Sequence, residues 1–189
     1  MSRINARFHT KSGVYAYNGV MPKPIRLDLP YPTADEVCPD ALSLKIISPA
    51  YASATGELGA ILQYVYHSFF FGRDGYKESS DTLMGIAIAE MTHLQILGKT
   101  ILALGAAPVY TQYPPNAFNF YSTKYIAYSR TLRHMLEDDI RGERQAICGY
   151  EKMLKYLKSE PVIKIVSRIL EDERLHLSVL EKMLSEFKG

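Results

Sequence analysis

The 189-residue chain has no tryptophan and almost no cysteine: Cys38 and Cys148 stand far apart, and Cys-x-x-Cys occurs nowhere. That excludes a cysteine-ligated iron site and a dithiol redox motif, so electrons for any redox chemistry must come from outside the chain. The two thiols read as structural. Long apolar runs are also missing. The most apolar stretches are interrupted by Gln63 and His67 or by Glu90, His93 and Lys99, well short of the roughly 20 residues that a bilayer span requires. Neither sign of charge dominates. With 22 Lys and Arg against 20 Asp and Glu, the net charge is +2, which leaves no electrostatic footprint for nucleic acid. No apolar segment follows Met1-Ser-Arg-Ile-Asn-Ala, so no secretory signal and a cytoplasmic location are expected.

What the chain does contain is one pattern written twice. Glu57 is followed seven residues on by Tyr64 and later by Glu90-x-x-His93; Glu143 is followed seven residues on by Tyr150 and later by Glu173-x-x-His176. Helical positions i and i+3 share a face, so each Glu-x-x-His pair offers a carboxylate and an imidazole to one point. Apolar residues at helical spacing surround each candidate: Ala60, Ile61 and Tyr64 near Glu57; Ile86, Leu97 and Ile101 around His93; Ile140, Ile147 and Leu154 around Glu143; Ile169, Leu180 and Leu184 around His176. The candidates therefore sit at core positions of amphipathic helices. Four unpaired buried carboxylates would consume most of a net stability of about 5–15 kcal/mol. Two divalent cations would balance four glutamates with both imidazoles neutral. The competing reading, solvated glutamates on a polar helix face, suits one residue but not six in register on four helices.

The rest of the chain reads as one domain with an arm. Residues 1–47 lack helical periodicity and contain Pro22, Pro24, Pro30, Pro32 and Pro39, so an extended arm packed on or between subunits is expected, with a bundle over 48–189. Ser48-Pro49 reads as an N-cap followed by proline at the first helical position. Four helices are expected near 49–71, 80–104, 129–157 and 160–187, with breaks at Gly72-Arg-Asp-Gly75, Gly105 and Ser159-Glu160-Pro161. The aromatic, proline-bearing segment 106–128 is long enough to return along a helix. Two hairpins joined by such a crossover give an all-α, four-helix bundle of ferritin-like topology.

At Ile88-Ala-Glu-Met-Thr-His-Leu94 and Leu170-Glu-Asp-Glu-Arg-Leu-His-Leu177 the chain resembles the ferritin-like superfamily over roughly residues 50–188. It looks nearest to rubrerythrin and bacterioferritin types, with manganese catalases more distant. The resemblance implies Glu57 and Glu143 as terminal ligands, Glu90 and Glu173 as bridges, and His93 and His176 on one metal each. It also implies that Asp172 hydrogen-bonds a ligand imidazole across the bundle, while Ala89 occupies the equivalent first-half position. Ala146 stands where rubrerythrins carry a further glutamate. Manganese catalases use one carboxylate fewer, so the full glutamate set favours iron over manganese in a pair of divalent ions.

The expected function is a di-iron oxidoreductase that reduces hydrogen peroxide or dioxygen, a rubrerythrin-like peroxidase using an external electron donor. Glu57, Glu90, Glu143, Glu173, Tyr64 and Tyr150 would carry the reaction. The alternatives are an iron-oxidising or iron-storage protein, a manganese catalase, and a structural bundle with an inert site. Tyr64 and Tyr150 are open between bonding across the site and plain core packing. His67 is open between proton delivery and a satisfied core histidine. His9 and His134 carry no site signal. Apolar residues including Val14, Tyr15, Tyr17, Val20, Tyr110, Tyr113, Phe118, Phe120 and Tyr121 predict a homodimer or a multiple of one.

Overall fold

The computed structural model describes residues 20–187; His9, Val14, Tyr15 and Tyr17 lie outside them. Five α-helices follow one another: α1 Ala41–Ala52, α2 Glu57–Arg73, α3 Lys77–Ala103, α4 Leu132–Tyr156 and α5 Glu160–Glu186. The long helices α2 to α5 form the bundle. Among the described residues the sole β pairing is an isolated bridge between Thr111 and Phe120 in the crossover. Short turns make α2–α3 and α4–α5 antiparallel hairpins, and residues 104–131 cross between them.

One expectation fails at the first helix. The single helix foreseen from residue 49 is two helices, and helical structure begins at residue 41, inside the segment expected to be a non-helical arm. Asp40 is the true N-cap, accepting from the Leu42 and Ser43 backbone N–H groups at 2.9 and 3.2 Å. Pro49 lies within α1. Its partner Ser48 caps nothing; its hydroxyl accepts from the Tyr113 N–H at 3.1 Å and ties down the crossover. The chain then turns at residues 53–56. A Cβ on Gly56 would lie 2.7 Å from the carbonyl oxygens of Pro49 and Ala50, so glycine alone lets α2 start this close to α1.

Elsewhere the ends shift by a few residues. Gly75, with φ +90°, turns α2 into α3, and Gly105, with φ +96°, ends the α3 segment. Thr131 caps α4 through the His134 N–H. Helix α5 starts at Glu160 as expected, although the Ser159 side chain makes no capping bond.

The apolar core is divided in two. One cluster holds Leu97, Ile101, Tyr150, Ile165, Val166 and Ile169; the other holds Tyr64, Phe71, Leu83, Ile86, Met135, Leu136, Ile140 and Leu180. On α3 and α5 the residues between the two sets are Glu90 with His93 and Glu173 with His176. A buried polar layer therefore crosses the middle of the bundle.

Candidate metal centre

Each of the four long helices delivers its candidate side chain to this layer. Glu57, Glu90, His93, Glu143, Glu173 and His176 are all buried, none more than 5% exposed. They form two overlapping groups, Glu57–Glu90–His93–Glu173 and Glu90–Glu143–Glu173–His176, within each of which the ligand atoms lie inside 4.8 Å of one another. Glu90 and Glu173 belong to both. Glu90 places Oε2 2.9 Å from His93 Nδ1 and Oε1 2.9 Å from His176 Nδ1. Glu173 does the same, with Oε1 3.1 Å from His93 Nδ1 and Oε2 3.7 Å from His176 Nδ1. Glu57 lies 3.8 Å from His93, and Glu143 lies 3.8 Å from His176. The two imidazoles face each other with ring centroids 5.9 Å apart.

These atoms suit cations better than they suit one another. Glu90 Oε1, Glu143 Oε2, Glu173 Oε1 and His176 Nδ1 are buried without a hydrogen-bond partner, although Glu90 Oε1 and His176 Nδ1 are only 2.9 Å apart. Close atoms that do not align on each other are converging on shared points instead. Hard oxygens with two imidazoles are a donor set for first-row divalent metals, iron and manganese included.

Without cations the layer balances its charge with protons. Burial pushes the Glu57 and Glu143 carboxyls well above the ordinary range, and neighbouring Glu90 and Glu173 add to the effect. Burial also opposes charge on both Glu90 and Glu173; for Glu90 the bond to Glu57 and the two histidines outweigh it, and for Glu173, where the Glu90 charge adds to the opposition, the two histidines do, so both are held below that range. On His93 and His176 burial disfavours the charged form, yet the surrounding carboxylates prevail and raise both well above the usual histidine value. With Glu57, Glu143 and both imidazoles protonated and Glu90 and Glu173 ionised, the layer would sum to zero. Two divalent cations would supply the same neutrality in place of four protons.

The tyrosines bond across the site rather than merely pack. Tyr64 of α2 donates to Glu143 of α4, and Tyr150 of α4 donates to Glu57 of α2. His67 does not reach the layer. Its Nδ1 faces Asp139 at 2.9 Å and its Nε2 faces the Ala127 carbonyl at 2.9 Å. With an acceptor at each nitrogen it is a satisfied core histidine, and Asp139 with Ala127 holds it above the usual value against the effect of burial. His134 is exposed on the surface.

Behind the imidazoles the two halves differ. His93 Nε2 meets Asp172 Oδ2 at 3.1 Å, the cross-bundle bond foreseen for Asp172. His176 Nε2 lies 2.7 Å from the Ile25 carbonyl oxygen. A carbonyl can only accept, so His176 Nε2 is a donor in either charge state and Nδ1 faces the site. Sequence reasoning missed Ile25 because a backbone carbonyl has no residue signature. It also missed Tyr31, whose hydroxyl donates to Asp172 at 2.5 Å.

A cavity of about 260 Å³ approaches the layer between α2 and α4, with Glu57, Glu143 and Glu173 at its floor and Gly59, Gly142 and Ala146 in its walls. Ala146 leaves room there that a glutamate would fill.

A ferritin-like domain model matches residues 52–189, and with it most of the chain. The chain belongs to the ferritin-like family. By sequence it is 27% identical over 148 residues to a bacterioferritin from Desulfovibrio desulfuricans, covering 77% of each protein. A solved bacterioferritin from that species, described with its di-iron site in different catalytic states, is 26% identical with a TM-score of 0.65, covering 77% of this chain and 80% of its own. A manganese catalase from Anabaena is 22% identical with a TM-score of 0.70, covering 96% of this chain and 84% of its own. The ferritin-like family's bundle topology and dimetal-type carboxylate cluster are thus both present. Among the described residues no helix is long and apolar enough to cross a membrane.

Proposed function

We propose that the protein holds two divalent metal ions, iron favoured over manganese, and uses them to reduce hydrogen peroxide or dioxygen. The observation that carries this reading is the sharing of Glu90 and Glu173 by both ligand groups. On this reading Glu90 and Glu173 would serve both ions, Glu57 and Glu143 would serve one each, and His93 and His176 would hold one ion each through the Nδ1 atoms that face the layer. A bound pair supplies single-electron steps and Lewis-acid polarisation of an O–O bond. The chain's own groups do the rest. Tyr64 and Tyr150 orient the terminal carboxylates, and their O–H groups stand where a proton can pass to or from Glu143 and Glu57. The two apolar clusters exclude water above and below. The cavity between α2 and α4 admits a molecule of peroxide size to the face bearing Glu57 and Glu143.

Reducing one peroxide to two waters consumes two electrons and two protons. A peroxidase draws the electrons from an external donor, as the lack of a Cys-x-x-Cys motif requires here. A second reading is peroxide disproportionation, which needs no donor; the likeness to the Anabaena manganese catalase spans 96% of this chain and supports it. Iron oxidation or storage follows the bacterioferritin likeness instead. Metal analysis of protein from its native source, with peroxide consumption and oxygen evolution followed with and without reductant, separates the three. Consumption that depends on reductant and evolves no oxygen supports the peroxidase. Failure to bind metal or consume peroxide would leave the inert structural bundle.

We also propose a homo-oligomer. Phe118 is 95% exposed, and Tyr110, Tyr113 and Phe120 of the same crossover are exposed as well, an apolar surface that a partner would cover. Sedimentation at micromolar concentration should find a dimer or larger, and a stable monomer would refute it.

A further inference from the structure

Residues 23–31 lie against α3 and α5, and their inward polar groups reach the outer side of the metal centre. The Ile25 N–H donates to the Gly85 carbonyl at 3.0 Å, while the Ile25 carbonyl accepts from His176 at 2.7 Å. Two residues on, the Leu27 N–H donates to Asp172 Oδ1 at 2.8 Å. The Leu27 and Leu29 carbonyls accept from Arg168 at 3.0 and 3.3 Å, and Arg168 also pairs with Asp172 at 2.8 Å. Tyr31 completes the set: its hydroxyl donates to Asp172, and its ring lies under the Arg168 guanidinium, 4.4 Å from the ring centroid. A segment that merely covered apolar surface would leave its backbone polar groups to water. Here they are spent on Asp172, Arg168 and His176.

We propose that residues 23–31 form a positioning strap for the metal centre, the Ile25 carbonyl fixing the orientation of His176 and Tyr31, through Asp172, fixing that of His93. The strap supplies from outside the bundle the acceptor that Ala89 cannot offer in the first half of the repeat. Imidazole ligands are held by whatever bonds their second nitrogen, and losing that partner typically lowers metal affinity or activity about 10–100-fold. Gly85 makes the approach possible, because a Cβ there would lie 2.6 Å from the Lys23 carbonyl oxygen and 2.9 Å from Ile25 Cγ1. The strap's role rests on the dimetal reading of the cluster.

The test is calorimetric titration of metal-free protein with Mn²⁺, alongside circular dichroism for helix content. Tyr31→Phe removes one O–H group and keeps the ring under Arg168; Gly85→Ala displaces the strap near Ile25. The wild type should take up two ions per chain. Each variant should weaken one binding step by about tenfold or more, and the double variant should weaken both, with helix content unchanged. Asp28→Ala changes an exposed strap residue whose side chain makes none of these bonds to Asp172, Arg168 or His176, and it should bind as the wild type does. Should Gly85→Ala fail to fold, Tyr31→Phe alone decides. Two ions bound with wild-type affinity in Tyr31→Phe would overturn the strap's role and leave the dimetal reading standing. A wild type that binds no ion would overturn both.

Discussion

The two halves of the ligand layer match from the inside and differ from the outside. Each presents a glutamate, a Glu-x-x-His pair and a tyrosine bonded to the opposite half's glutamate, as the repeated sequence dictates. Behind His93, however, stands Asp172, a buried carboxylate held well below the ordinary carboxyl range: burial works against this, but bonds from His93, Tyr31, Leu27 and Arg168 prevail. Behind His176 stands a neutral carbonyl. A carboxylate makes an imidazole a more basic ligand than a carbonyl does. The comparison teaches that a duplicated ligand set need not yield two equivalent metal positions, because the repeat is broken at Asp172 against Ala89 and the segment that carries Ile25 and Tyr31 is not duplicated.

The largest effect should come from the residues the halves share. Glu90→Ala or Glu173→Ala should lose at least one metal ion per chain and abolish peroxide consumption, both read by metal analysis and turnover. Unchanged turnover would place the chemistry elsewhere. Next comes removal of the metals, which should reverse the pH response. In metal-free protein the raised values of His93 and His176 contribute stability fully below about pH 6.5, and that contribution is lost as pH climbs through their folded values. Glu57 and Glu143, also raised, act in the same sense from about pH 4.3 upward. Metal-bound protein requires deprotonated ligands, so it should lose stability as pH falls. Metal uptake should release protons. Thermal unfolding across pH with and without metal checks the first claim, and titration in buffers of different ionisation enthalpy checks the second.

A smaller effect should distinguish the halves. Asp172→Asn keeps the shape behind His93 but removes its charge, so affinity at one ion should fall about 10–100-fold without emptying the site. Equal weakening of both ions would contradict the asymmetry. The smallest effect sharpens the inner symmetry. Tyr64→Phe and Tyr150→Phe each strip a donor from a buried glutamate and should each lower stability by about 1–3 kcal/mol, as measured by denaturant unfolding. A clear inequality would mean that the outer difference reaches the terminal ligands.

The ligand layer could be read from sequence because its chemistry is local. Positions i and i+3 share a helix face whatever the helix packs against, so Glu90 pairs with His93 and Glu173 with His176 on sequence grounds alone. The charge argument then required all four helices to converge. The first helix was harder. Ser48-Pro49 has the form of a helix start, but Asp40 has already capped a helix about two turns earlier and the tight approach at Gly56 breaks the chain after it. Only the packing of α1 against α2 reveals that approach.

Helical periodicity and the repeated glutamates and histidines thus determined by themselves that this chain folds as a ferritin-like bundle with a paired carboxylate core. The contrast of Asp172 with Ala89 is legible in the sequence, but the tertiary structure alone decided what stands behind His176 in place of a carboxylate. The Ile25 carbonyl and the Tyr31 hydroxyl reach His176 and Asp172 across sequence separations of 151 and 141 residues, and no periodic pattern encodes a contact made by an irregular segment. A backbone carbonyl belongs to every residue equally, so only its place in space makes the one at Ile25 part of the site.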